Sequence, residues 1–305
     1  CNTFPRLKRQ YANETLLSLT MACPEVVNQV LFQPDSMLVN EHEKLIVETA
    51  IRIKQKGVNA DRSQTSQLIN LFCSHLIMAD SPTIEDNLLA IVHLILYLQQ
   101  IKYEVETNVE NLDSLFLNLQ NQLASGEITK QRKQISSSAS MKLMLLSVFG
   151  TAIQQLRRGR NFMVQNHLNL AAYLELDKEP NEAKVQEKFT VLNMQWEKVL
   201  ANSCLSEEHV VKNYILYHMY NNAFPGDEMG DILRKYYLMI ADYFYLKTQI
   251  SMISMTRDVT QEEIMQLFGS FHMVYNHNHN LAKELNAYVD QINANDDLSC
   301  LLLLN

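Results

Sequence analysis

Glycine and proline are scarce in this chain, at seven and six among 305 residues, each less than half its usual share. Few tight turns can be built from such a composition. The elements between turns must therefore be long, and helix is expected throughout. None of the seven glycines stands in G-x-G-x-x-G or in a Walker loop, which excludes a Gly-rich cradle for a dinucleotide, ATP or an adenosyl cofactor. H-E-x-x-H, G-x-S-x-G and an evident Ser/His/Asp set are missing as well. The five cysteines, Cys1, Cys23, Cys73, Cys204 and Cys300, are scattered, odd in number and never spaced C-x-x-C. A disulfide framework is not expected, and a reducing, cytoplasmic compartment fits. Basic residues are outnumbered, 26 against 34 acidic, for a net charge of −8, so no nucleic-acid partner is expected. No signal or transit segment is evident. The most apolar run, Leu88 to Ile101, is about a turn too short for a membrane span and contains His93, so it reads as a buried core helix.

What is present is a large apolar fraction, 47%, with only 20% charged residues, enough for a sizeable core. Residues 1–23 have no helical period and read as extended or looped. Pro24 and Glu25 then open a helix with an apolar stripe at Val26, Val27, Val30 and Leu31. From Asn40 the pattern is helix after helix: 63–77, a run to Ile101 opened by a capping box at Thr83, 111–124, 141–158, 161–176, 182–201, 206–223 and 227–255. Thr260 to Glu263 is a full capping box opening the last helical region, which is expected to kink near Asn276 to His279. Residues 127–140, with Lys130, Arg132 and Lys133 before three serines, read as a linker. The predicted fold is all-α, a multi-helix domain (40–305) preceded by a short irregular cysteine-containing segment and first helix (1–39).

Several residues are candidates for chemistry, each with a plainer reading beside it. Thiolates bind soft metals and iron–sulfur clusters, but a cluster takes four, so Cys1 and Cys23 are either survivors of a larger set or ordinary thiols. Cys1 also fits the lipid-modified cysteine of a mature lipoprotein, although Phe4-Pro5-Arg6-Leu7 reads as packed structure rather than a tether. His277 and His279 are two apart and point to different helix faces, unlike a helical metal pair. Arg157, Arg158 and Arg160 fit an anion grip or a solvated helix end. Tyr214, Tyr217 and Tyr220 recur at i+3, and Tyr236, Tyr237, Tyr243, Phe244 and Tyr245 crowd a later helix. Such a stripe packs a core, and its aromatic faces also suit a sulfonium or ammonium guest. Asp242 shares its face with Leu238, Met239, Tyr245 and Leu246, so its carboxylate is expected to be desolvated and raised in pKa. It is either a proton acceptor or a structural hydrogen-bond partner of a neighbouring helix.

Three stretches resemble the bacterial flagellin lysine-N-methylases. Cys1-Asn2-Thr3-Phe4-Pro5-Arg6 is similar to C-x-(T/S)-(F/Y)-P-R, the tail of that family's cysteine-rich module. Ser18-Leu19-Thr20-Met21-Ala22-Cys23-Pro24-Glu25 is similar to its S-L-T-(L/M)-(S/A)-C-P-E signature. Lys212-Asn213-Tyr214-Ile215-Leu216-Tyr217 through Phe224-Pro225 is similar to its N-Y-(L/I) helix ending in F-P, and His277-Asn278 has a counterpart near the end. The resemblance implies methyl transfer from S-adenosylmethionine to flagellin lysines in the cytoplasm. It also implies an N-terminal 4Fe–4S cluster, of whose ligands only Cys1 and Cys23 remain, so the chain reads as the helical C-terminal majority of such an enzyme. Asn213, Tyr214 and His277 become candidates for holding the methyl donor. By residue type rather than by resemblance, Asp242, Tyr217 and Tyr245 are candidates for lowering the cost of deprotonating the lysine. The competing class is a non-catalytic helical scaffold that binds flagellin.

Overall fold

The computed structural model describes residues 4–12, 15–38, 51–52, 63–154, 161–176, 181–226, 229–293 and 298–305. The segment expected to be extended or looped comes first in the chain. Arg6–Gln10 (β1) and Thr15–Leu19 (β2) pair antiparallel, Arg6 opposite Leu19, and Ile51–Arg52 (β3) adds parallel to β1, giving the order β2-β1-β3. Residues 6–10 and 15–19 thus pair as the two arms of a hairpin. The alternation that betrays a half-buried strand is faint here, because Arg6, Lys8, Arg9 and Gln10 interrupt it.

The chain then turns helical. Pro24–Phe32 (α1) starts with proline at its first position, where the missing N–H is no loss, and buries Val26, Val27 and Leu31. Gln64–Met78 (α2), Ile84–Gln100 (α3) and Val109–Ala124 (α4) follow. Helix α3 is the apolar run noted in the sequence. It is buried on nearly all sides from Ile84 to Leu98 and packs against α2 and α4. No helix among the described residues is long and apolar enough to cross a membrane. Thr83 has the dihedrals of an N-cap, but its side chain accepts no capping bond, so the predicted box is not formed. Gly126, at φ +74°, follows the C-cap of α4 in the left-handed conformation that only glycine adopts cheaply.

Residues Glu127–Gln134 form a helix (α5) where a linker was expected; its Ile128 is fully buried. Next come Ala139–Gln154 (α6), Asn161–Leu174 (α7), Glu182–Asn202 (α8), Glu208–Asn221 (α9), Ile232–Ser254 (α10), Gln261–His277 (α11) and His279–Asn293 (α12). The predicted kink near Asn276 is a break between α11 and α12. Asn278 fills it, its Oδ1 accepting from the backbone N–H groups of Asn280 (3.0 Å) and Leu281 (3.2 Å).

Contacts divide the chain into two compact units, residues 1–131 with 211–236, and residues 132–210 with 237–305. The first holds the sheet, α1 to α4 and most of α9. The second is helical, with α6 packed against α7, α8 and α12, and α11 against α7 and α12. The predicted segment 1–39 lies wholly inside the first unit.

Candidate functional site

The signature around Cys23 is a structural joint in the first unit. Thr20 and Cys23 link by a backbone turn at 3.2 Å, and Cys23 is the N-cap of α1, with extended dihedrals and no side-chain capping bond. Its thiol is half-buried. The Tyr217 hydroxyl, delivered by α9, accepts from Met21 N–H (3.0 Å) and donates to the Leu19 carbonyl (2.9 Å). Burial pushes Tyr217 up to about 12, against the opposing effects of the Met21 bond and the Arg9 charge. Tyr217 is therefore a neutral clamp on the loop before α1. Arg9 of β1, opposite Leu16, is itself buried. Desolvation lowers its pKa, while Tyr11, Tyr217 and Tyr220 act the other way.

Asn213 serves the opposite end of α1. Its amide nitrogen reaches the carbonyls of Val30 and Gln33 (both 3.0 Å) and Ser36 Oγ (3.2 Å), satisfying acceptors that a helix C-terminus leaves open. Tyr214 is buried, edge-on to His218 at 6.2 Å. The first unit thus sets Asn213 and Tyr217, one turn apart on α9, at opposite ends of α1, with Tyr217 alone of the three meeting the loop before Cys23. It also has an open cleft of about 870 Å³ that the sequence did not announce, lined chiefly by Leu38, Leu68, Leu71, Met78, Leu216 and Tyr220.

In the second unit Asp242 and Tyr245 lie one turn apart on α10. Asp242 is 2% exposed, as its apolar neighbours predicted, and its Oδ1 accepts a short hydrogen bond from the Tyr275 hydroxyl of α11. Tyr275 itself is half-buried. The Tyr245 ring stacks on Phe149 (4.2 Å between centroids) and Phe271 (5.8 Å), and its hydroxyl stands 3.4 Å from His167 Nδ1. Burial holds His167 down at about 4, so the imidazole is neutral, and pushes Tyr245 well above the usual phenol range. Gly150 makes room for that imidazole: a β-carbon there would stand 2.4 Å from His167 Nε2. His277 ends α11 exposed to solvent, and its neighbour Asn278 carries the buried contacts, including one to the Ala152 carbonyl at 3.2 Å.

Sequence reasoning missed Tyr275, which shares an i, i+4 face with Phe271, and the Gly150–His167 contact, signalled by a glycine inside an apolar helical run. Of the predicted metal ligands, Cys1 lies outside the described residues. No group of three or more His, Cys, Asp or Glu side chains converges among the described residues. A thiolate-held cluster takes four ligands, and Cys23 alone does not furnish such a site.

The ensemble is a helical protein with a buried carboxylate in an aromatic nest and no glycine-rich phosphate loop, a class apart from the doubly wound nucleotide folds. The chain belongs to the FliB lysine N-methylase C-terminal domain family, whose model matches residues 70–304. The lysine-N-methylases of Salmonella typhimurium and Salmonella choleraesuis are each 26% identical to it over 306 residues, covering all of this chain and 74% of the relative. The flagellar biosynthetic protein FliV of Salmonella muenchen is 29% identical over 108 residues, 33% of this chain and 62% of that protein. No solved structure matches.

Proposed function

We propose that this protein is a lysine methyltransferase that takes its methyl group from S-adenosylmethionine and acts on flagellin in the cytoplasm. The family match over residues 70–304 carries this reading. The chemistry then sets a requirement on the residues. A lysine ammonium must lose a proton before its nitrogen can attack, which costs about 4–5 kcal/mol at neutral pH. Asp242 and Tyr275 can supply the acceptor. The ammonium gives a proton to the Tyr275 oxygen, and the Tyr275 proton passes along the existing hydrogen bond to Asp242, leaving a neutral amine, a neutral tyrosine and a protonated acid. Asp242 is buried, and its protonation removes a charge from that position. S-adenosylmethionine, when bound, supplies an electrophilic methyl on a sulfonium whose charge disappears as the nitrogen–carbon bond forms. Tyr245 and Tyr217 keep their protons throughout, because burial raises both.

A second reading, a helical scaffold that binds flagellin without modifying it, is favoured by the first-unit cleft, where Leu38, Leu71 and Met78 are exposed. One experiment separates the two. Purified protein, flagellin and S-adenosylmethionine are combined, and lysine methylation is followed by mass spectrometry. Wild type is expected to add methyl groups, and Asp242→Asn and Tyr275→Phe to slow the rate by roughly 10²-fold or more. Flagellin bound but unmethylated by wild type supports the scaffold. Full activity in both folded variants discards the relay.

A further inference from the structure

We propose that the second unit carries a binding site for a small aliphatic carboxylic acid, between α7 and the C-terminal end of α10. The site is separate from Asp242 and does not depend on the methyltransferase reading. A cleft of about 390 Å³ opens there, within the range of small-molecule pockets. Ala172, Met252 and Ile253 give it an apolar side. Its polar lining is Asn166, Asn169, Tyr173, Thr256 and Arg257, so among the described lining residues the formal charge is positive.

Asn166 is the informative one. It lines the cleft, is only 5% exposed, and its amide nitrogen is buried with no hydrogen-bond partner among the described residues. A buried donor left without a partner is costly, and a native structure that tolerates one calls for a reason. Asn169, three positions on along α7, has its Oδ1 engaged by Gln165 Nε2 at 3.0 Å, and its amide nitrogen adds a second donor to the lining. Arg257 uses Nε on Glu263 Oε1 (2.6 Å) and Nη1 on Thr256 Oγ1 (3.4 Å), which leaves Nη2. No carboxylate lines the cleft.

Two amide donors and a guanidinium edge, facing an apolar side, match an acid with an acceptor-only head and a short hydrocarbon tail. A carboxylate takes several such bonds at once, and charge-assisted ones are the stronger kind. Glu263 already balances much of the Arg257 charge, so selection rests on the geometry of donors rather than on net positive charge. A primary amide of the same shape offers one acceptor oxygen where the carboxylate offers two, and it carries no charge, so it is held far more weakly.

The test uses isovalerate as the probe and isovaleramide as its neutral isostere, at constant ionic strength, with thermal shift of the full chain as the readout. Isovalerate is expected to raise the wild-type midpoint in a saturable way and isovaleramide to leave it unmoved. Arg257→Gln and Asn166→Leu are each expected to weaken apparent affinity at least tenfold. Glu263→Gln breaks the same ion pair but leaves every donor in place, and is expected to keep binding within threefold. Equal responses to acid and amide overturn the proposal, as does unchanged isovalerate affinity in Arg257→Gln. If Asn166→Leu does not fold, the Arg257→Gln and Glu263→Gln pair decides alone.

Discussion

Lys142 occupies a core position in the second unit, 1% exposed, with its ammonium 5.0 Å from the centroid of Phe189. Its Nζ donates to Ser137 Oγ at 2.7 Å and, by a short bond, to the Asn305 backbone oxygen. Burial, with the nearby charge of Lys247, lowers its pKa to about 7. An unfolded chain restores a value near 10.4. Between about pH 7 and pH 10 the unfolded state therefore binds more protons than the folded one, and stability rises with pH through that window. Lys142→Met is expected to flatten the rise, which amounts to at most about 4 kcal/mol for wild type. Urea unfolding of both proteins at pH 7, 8.5 and 10 checks it, and parallel curves refute it. How much of the site was legible also varies residue by residue. Asp242 was readable, because its burial follows from neighbours on its own helix. The hydroxyl partners of Tyr217 were not: they are backbone groups of Met21 and Leu19, 196 and 198 positions away. Asn213 likewise carried a family motif but no sign that its amide closes the end of α1.

Helices announced themselves wherever a local signal sufficed. At Thr260 the hydroxyl accepts from Glu263 N–H (3.2 Å) and Glu263 Oε2 accepts from Thr260 N–H (3.1 Å), the reciprocal pair that the sequence predicted. Thr83 has Asp86 where the box needs a longer side chain, and no reciprocal pair forms. Elements held by pairing or by one buried anchor are less legible. Strands β1 and β2 exist by pairing with each other, and in α5 Lys130, Arg132 and Lys133 obscure a single buried anchor, Ile128, so that the stretch reads as a linker. The α11 cap yields a prediction. Thr260→Ala is expected to cost about 1 kcal/mol, measured by denaturant midpoint at unchanged slope. Burial would raise Glu263, but bonds from Thr260 and Arg257 bring it below its ordinary value. Its contribution is therefore present above the unfolded carboxylate range and lost as pH falls through it. The Thr260 hydroxyl also donates to Glu263 Oε2 (3.2 Å), so the cost of Thr260→Ala should shrink below pH 4, and a constant cost to pH 3 argues against that bond.

At the scale of the whole molecule, scarcity of glycine and proline foretold the helical fold but hid the division of the chain. Its boundaries fall inside α5, α9 and α10, where no turn residue marks them, and the first unit joins residues 1–131 to 211–236. Sequence distance alone conceals such a join. Cysteine gives each unit its own reporter. Cys73 in the first and Cys300 in the second are both fully buried, and burial raises both thiols far above the normal range. Cys23 is half-buried at the mouth of α1, and the half-buried Cys204 is raised less strongly. A thiol reacts as its thiolate, so alkylation under native conditions requires the protein around Cys73 or Cys300 to open first. With an opening free energy of about 5 kcal/mol, labelling slows by on the order of 10³–10⁴ relative to an open thiol. Iodoacetamide at pH 8, read by peptide mass spectrometry, is expected to modify Cys23 first, Cys204 more slowly, and Cys73 and Cys300 only at the rate at which each unit opens. Adding urea should accelerate the last two and leave Cys23 nearly unchanged. If either buried cysteine labels as fast as Cys23 in native buffer, the core assigned to that unit is not the one the chain adopts.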